Sequence, residues 1–279
     1  ALIETLRALK AGPPLRNDIL FIFTDGEEGV QPGKGLRGAY AFVQQHPWAH
    51  GIGLALNFDA RGTAGPSYLY RASPNNGWLI RQVVAAGCPI IANSCMGAIS
   101  DRMPTDSDLT AFLEAGIPGL DFAFTGNLMR YHTSLDSPGN LDPRSLQHHG
   151  EYALRLARHF GNLPLDNPEA PPAVFFNTLG TGMAVYPIAW ALPMSLAVLI
   201  GLAALIGLGI RRGALGGADL VRGTAFFMGF AIAAVFGALA VVAVGYAQRG
   251  YYLIYSGDRL ALALMGLAFW AFFSAVGRF

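Results

Sequence analysis

Apolar and polar positions alternate with two different periods over the first 163 residues, and after that charge almost disappears from long stretches. Leu2, Leu6 and Leu9 stand at helical spacing in Ala1–Lys10. No capping residue precedes them, so the helix reads as entered midway and the chain is expected to begin inside a domain. Asp18–Asp25 is a short apolar run ending in polar residues, the pattern of a buried parallel strand. A helical stretch follows at Gly35–Gln45 and stops near Pro47; Ile52–Phe58 is a second apolar strand, ending at the acid Asp59. Ser67–Arg71 reads as a strand and Gly77–Ala86 as a helix. Asp108–Ala115 reads as a short helix capped by Ser107 or Asp106. Gly119–Phe124 is a further strand, and Arg144–Phe160 a long amphipathic helix. Strands alternating with helices predict an α/β fold with a mainly parallel sheet flanked by helices. Ligands in such folds bind beyond the carboxyl ends of the strands, where the acidic residues fall.

The remainder differs in kind. Residues 164–179 read as a linker, rich in Pro, Asn and Asp at their start. Gly180–Ile210, Gly223–Gln248 and Leu260–Gly277 contain no charged residue. A membrane-spanning helix needs about 20 apolar residues, so residues 180–279 are expected to be an all-α transmembrane region of about three helices.

Composition sharpens this division. Hydrophobic residues make up 53% of the 279 and charged residues 13%, too apolar for an ordinary soluble protein. Residues 1–183 hold 13 Lys or Arg against 16 Asp or Glu (13 − 16 = −3), and the rest hold 6 against 2 (6 − 2 = +4). No basic stripe runs through either part, which argues against a nucleic-acid partner. The first loop after the predicted spans begin carries Arg211, Arg212 and Arg222 against Asp219, and the second carries Arg249 and Arg259 against Asp258. Positive loops favour the cytoplasmic side, so the α/β part is expected outside the cytoplasm: periplasmic, extracellular or lumenal. Tyr251, Tyr252 and Tyr255 fit an interfacial aromatic belt. Cys88 and Cys95 match no metal-binding spacing and read as small buried residues, with a disulfide open to them outside the cytoplasm.

Phe23-Thr-Asp-Gly-Glu-Glu-Gly29 is the sharpest chemical feature. Adjacent glutamates in a turn repel, and a cation relieves that repulsion. Alone, the pair is equally a solvated acidic turn. Asn57-Phe-Asp59 adds a carboxylate at a strand end, and Tyr131-His-Thr-Ser-Leu-Asp136 adds a histidine in the loop after the last strand. A Glu, an Asp and a His gathered along one rim form a ligand set suited to zinc.

In this order, Asp25-Gly-Glu-Glu-Gly29, Asn57-Phe-Asp59, Ser107-Asp108-Leu-Thr-Ala-Phe112 and Tyr131-His132-Thr-Ser-Leu-Asp136 resemble the co-catalytic zinc aminopeptidases and glutamate carboxypeptidases. The resemblance is closest to the endoplasmic-reticulum and vacuolar membrane proteases, in which transmembrane helices follow the peptidase domain. It covers about residues 1–163, read as the C-terminal part of a catalytic domain. It implies Glu27 as general base toward the attacking water, Glu28 and His132 as ligands of one zinc, and Asp59 as a ligand of a second. Tyr131 matches a tyrosine that hydrogen-bonds the tetrahedral intermediate; a packed aromatic is the plain alternative. Asp108 reads as a turn or capping residue, Asp136 as a residue that orients the His132 loop or caps it, and His148 and His149 as structural. The family's His-x-Asp strand and bridging aspartate have no counterpart among these residues, so the metal site is expected to be partial here and to hold two zinc ions in the whole protein.

The implied function is a membrane-anchored zinc metallo-exopeptidase, an aminopeptidase first, acting on peptides and held by membrane lipid. Two alternatives stand beside it: a catalytically inactive membrane scaffold or receptor of the same fold, and a single-zinc acyltransferase of the glutaminyl cyclase type. The Glu27–Glu28 pair and the Tyr131–His132 motif favour the peptidase. The predicted spans lack the acids and histidines of an ion pathway, which speaks against a transporter.

Overall fold

The computed structural model describes residues 1–28, 35–100, 106–179 and 182–232. Residues Ala1–Ala191 form one unit and the chain from Leu192 a second. In the first unit the elements run α1 (Leu2–Lys10), α2 (Arg37–Gln45), β1 (Ala55–Ala60), β2 (Ala64–Ala72), α3 (Gly77–Ala85) and β3 (Ile91–Ala92). They continue with α4 (Ser94–Ser100), α5 (Leu109–Glu114), β4 (Gly119–Gly126) and α6 (Pro143–Phe160). β3 and α4 have no counterpart in the sequence expectation.

Four strands form one sheet in the order β1-β4-β2-β3. β1 pairs with β4 and β2 with β3 in parallel, whereas β2 and β4 are antiparallel. Two of the three pairings are thus parallel, as expected, and the β2–β4 pairing makes the sheet mixed. Only residues 61–63 separate β1 from β2, too few for the crossover that parallel strands require. The chain reverses there, and β2 returns along the far side of β4.

β4 is buried from Gly119 to Phe124, as a central strand should be. Leu69, Leu120 and Phe122 of the sheet pack with Leu79, Ile80 and Val83 of α3 and with Tyr152, Leu156 and Phe160 of α6. Phe122 is fully buried, and its truncation to alanine would cost about 3–5 kcal/mol. A second cluster joins Leu36 and Ala39 of the α2 start to Leu109, Phe112 and Ile117 around α5.

Two expectations need correction in this unit. Asp18–Asp25 is not a strand. A strand exists only with a ladder partner, and among the described residues no backbone bond joins Asp18–Thr24 to β1. A cavity of about 800 Å³ is lined by both segments. The short helix α5 is capped in position by Asp108, not Ser107 or Asp106, and Asp108 makes no side-chain cap bond. Its carboxylate is engaged elsewhere, by Thr24.

The expected linker also proves structured. β5 (Ala173–Asn177) and β6 (Met183–Pro187) form an antiparallel hairpin, with Phe175 buried in the main core. Its apolar residues fall on both faces, so the sequence shows no period-two alternation to mark the strands. β6 occupies residues expected to open the first span.

In the second unit α7 (Ala191–Arg211) is apolar all round, without a buried residue. The stretch Ile188–Arg211 has a mean hydropathy of 2.3 and is, among the described residues, the one helix long and apolar enough to cross a membrane. Residues 217–232 are helical too. Most of the expected second span and all of the third lie outside the described residues.

Cys88 and Cys95 are both free. Burial pushes the Cys88 thiol up to about 11. Cys95 is exposed, contrary to expectation, because it sits in the first turn of the unforeseen helix α4.

Candidate active site

The Glu27 turn is built on the start of α2. Free N–H groups at a helix N-terminus need outside acceptors, and here they find the turn's carbonyls. Leu36 N donates to Glu27 O at 2.9 Å, Arg37 N to Gly26 O at 3.1 Å and Gly38 N to Asp25 O at 2.8 Å. Gly26 has φ +68°, a left-handed conformation that glycine adopts freely. At Gly38 a Cβ would lie 2.6 Å from Asp25 O, so only glycine permits this approach.

β1 delivers Asp59 at its carboxyl end, where Asp59 Oδ1 accepts from Ala60 N at 2.6 Å. The loop after β4 delivers Tyr131 and His132. Thr133 Oγ1 donates to Arg130 O at 2.7 Å, and Asn140 Nδ2 to Leu135 O at 3.0 Å. These bonds hold the loop; of the two readings for Asp136, its exposure agrees with an exposed residue and not with one that orients the loop. His132 itself has φ +56°, a conformation that bulky residues seldom adopt and that is stored at functional sites. The Tyr131 ring stacks on the His132 ring, with centroids 3.8 Å apart.

These segments meet. Glu28 Oε1 lies 2.6 Å from His132 Nε2 across 104 residues of sequence. Burial raises the Glu27 carboxyl to about 7, helped by the neighbouring charges of Glu28, Asp59 and Asp108. Burial, then the charges of Glu28 and Asp59, hold the Tyr131 phenol well above its usual range, so it remains a hydrogen-bond donor. All five predicted residues (Glu27, Glu28, Asp59, Tyr131 and His132) therefore share one rim. Among the described residues no three His, Cys, Asp or Glu side chains converge closely enough to hold a metal. Glu28 and His132 stand as a pair of donor side chains, and Asp59 lies at the same, carboxyl end of the parallel strands β1 and β4.

Beneath the rim lies a polar knot that sequence reasoning missed. Asp121 of β4 is fully buried and accepts from Asn57 Nδ2 at 2.8 Å, from Tyr70 OH at 2.7 Å and from Ser107 Oγ. Burial raises its carboxyl to about 6, although all three donors act to lower it. The knot thus ties β1, two residues before Asp59, to β2 and to the residue before Asp108. Asp108 accepts from Thr24 through one oxygen, while its buried Oδ1 has no partner. Arg61 places its guanidinium 5.1 Å from the Tyr70 ring centroid and donates to Asp106 O at 3.3 Å. An aspartate inside the apolar run Gly119–Phe124 was the available signal for this knot. His148 and His149 do serve structure: His148 Nδ1 accepts from Ser67 N at 3.1 Å, and His149 Nδ1 lies 2.8 Å from Ser67 Oγ.

Residues 1–157 match the profile of peptidase family M28. The chain belongs to that family. The mouse endoplasmic reticulum metallopeptidase 1 is 30% identical over 194 residues, covering 67% of this chain and 21% of its own length. The human protein of that name is 29% identical over 194 residues, with the same coverage of 67% and 21%. A vacuolar membrane protease of Candida albicans is 29% identical over 200 residues, 71% of this chain and 22% of its own. The chain thus spans about a fifth of the length of these curated M28 relatives. No solved structure matches it. A metal cofactor is characteristic of M28 metallopeptidases, and the rim's donors, Glu, Asp and His, are of the type zinc prefers.

Proposed function

We propose that this chain is the rim-bearing part of a membrane-anchored zinc exopeptidase, an aminopeptidase in particular, that hydrolyses short peptides outside the cytoplasm. The observation that carries the reading is the meeting of Glu28 and His132 at 2.6 Å beside a Glu27 carboxyl raised to about 7. Glu28 and His132 would hold one zinc and Asp59 would contribute to a second, with the remaining ligands supplied from beyond these residues. Zinc bound there supplies Lewis acidity, polarising the scissile carbonyl and acidifying water. Glu27 takes the proton from the attacking water and returns it to the leaving amine, the work of a positioned carboxylate held ionised beside a cation. Tyr131 donates a hydrogen bond to the oxygen on which negative charge develops. The apolar stretch Ile188–Arg211 anchors the enzyme, and the uncharged runs beyond it make the anchor multi-pass.

The test is zinc content and peptide hydrolysis of the natural polypeptide that contains these residues, beside its Glu27→Gln variant. Two zincs retained by the variant, with turnover lost, would support the hydrolase assignment and Glu27 as its base. A polypeptide that binds no zinc and cleaves nothing would leave the second reading, an inactive membrane scaffold.

A further inference from the structure

The β5–β6 hairpin is apolar on both faces. Phe175 is 4% exposed, and Met183 and Val185 pack against the same core. Strand side chains alternate, so Val174, Phe176, Ala184 and Tyr186 point the other way. Register pairs Val174 with Tyr186 and Phe176 with Ala184. The Phe176 and Tyr186 rings meet edge to face, 6.5 Å apart. Phe176 is 43% exposed, and Leu179, just beyond β5, is completely exposed. A surface hairpin with one face on the core ordinarily turns polar side chains outward. The single polar atom on this outward face is the Tyr186 hydroxyl.

The same character continues along the chain. No charged residue occurs from Ala170 to Ile210, so the uncharged stretch takes in the whole hairpin as well as α7. β6 ends at Pro187, and the apolar span starts at the next residue, Ile188. Trp190 follows, more than half exposed.

We propose that the outward face of the β5–β6 hairpin rests in the headgroup layer of the membrane that α7 enters. The inference rests on the membrane-anchored reading above. Covalent continuity selects lipid as the occupant: the end of β6 is bonded directly to the span and cannot leave the membrane surface. Depth is limited from the other side, because β6 has no further ladder partner among the described residues and an open strand edge cannot enter hydrocarbon. Tyr186 and Trp190 are the residue types that concentrate at this boundary. With its inner face fixed on the core, the hairpin gives the α/β unit an attachment of its own to the lipid headgroups.

The test uses the full chain carrying Cys88→Ser and Cys95→Ser, reconstituted in phosphatidylcholine–phosphatidylglycerol vesicles. An environment-sensitive fluorophore is attached at Phe176→Cys, Leu179→Cys, Leu199→Cys within α7, or Met129→Cys on the exposed loop near the rim. Emission from positions 176 and 179 is expected to shift to the blue, to be lost to lipid carrying a shallow doxyl quencher and to be spared by aqueous iodide. Position 129 should behave in the opposite way, and position 199 should respond to a deep doxyl quencher. If 199 is quenched by lipid while 176 and 179 answer only to iodide, the hairpin inference is overturned and the anchor stands. Protection of 176 and 179 from both quenchers would mean that protein covers the face, which also overturns it. If 199 never meets lipid, the anchored reading falls and the hairpin inference with it.

Discussion

Asp121 and the rim carboxylates sit in the same α/β unit and are treated in opposite ways. Asp121 is fully enclosed, yet three side-chain donors from three segments serve it. At the rim, burial and the charges of Glu28, Asp59 and Asp108 raise the affinity of Glu27 for protons, and among the described residues the side-chain donors to these acids are few. Glu28 has His132, Asp108 has Thr24, and the buried Asp108 Oδ1 has no partner. Buried polar groups in folded proteins are paired as a rule, so the knot is what structural satisfaction looks like and the rim is what its absence looks like. The difference teaches where charge balance must come from. In the knot it comes from hydroxyls and an amide fixed by the fold; at the rim Arg61 supplies part of it, and on the proposed function a bound cation would supply the rest.

The most forceful way to break this contrast is to neutralise the proposed base. Glu27→Gln in the zinc-loaded natural polypeptide is expected to lower peptide turnover by about 10²–10⁴-fold, the span usual for general acid–base groups. Zinc content, read by atomic absorption, should be unchanged. Loss of zinc together with turnover would make Glu27 a ligand and not a base.

The next effect concerns stability. Asp121→Asn removes an acceptor from the knot and is expected to destabilise the chain by about 1–3 kcal/mol in denaturant unfolding, the cost of stranding a buried partner. Asp108→Asn in the metal-free chain should instead be neutral or stabilising, because it removes one of the repelling rim charges. Equal losses from both substitutions would erase the distinction between knot and rim.

The sequence made the two regions unequally legible, and for physical reasons. Glu27 and Glu28 sit between glycines after an apolar run and Asp59 closes another, so with His132 they could be picked out locally, and the family resemblance then implied their roles. The knot depends on a strand register that pairs Asn57 with Asp121, and on Tyr70 and Ser107 arriving from other segments; no local spacing encodes that. The alternation of strands and helices was readable because α3 and α6 carry clear helical periods. The reversal of β2 was hidden in the three-residue connection at 61–63. Asp18–Asp25 has every local feature of a strand and lacks only the neighbour that would make it one. The hairpin escaped for the opposite reason: strands apolar on both faces cannot be told by periodicity from the span that follows them.

A pH titration of metal-free stability sharpens the comparison further. Asp121 titrates at about 6 in the fold against a usual 3.8, and Glu27 at about 7 against 4.5. In both windows the folded state holds more protons than the unfolded one, so stability is expected to be highest below about pH 4 for these two groups and to fall as pH rises to 7. The Asp121 share is on the order of 3 kcal/mol at most, from roughly two pKa units. Asp121→Asn should remove the part of the slope between pH 4 and 6, and Glu27→Gln the part nearer 7. Saturating zinc should flatten the Glu27 part alone, since a cation at the rim favours the ionised carboxylate.

The smallest expected effect is the most discriminating for the His132 loop. The Glu28–His132 pair is short, but its side chains are 65% and 45% exposed. Exposed ion pairs contribute about 0–1 kcal/mol, and this loop is already held by the bonds of Thr133 and Asn140. His132→Ala should therefore change metal-free stability by less than about 1 kcal/mol, and relief of the left-handed backbone at His132 would be no greater for alanine than for histidine. The same substitution should abolish most of the stabilisation that added zinc confers, which grows with the logarithm of zinc concentration over its dissociation constant. A large metal-free loss would mean that Glu28 and His132 exist to clasp the loop to the Glu27 turn. A negligible metal-free loss with a missing zinc response would mean that the pair stands where it does for the metal.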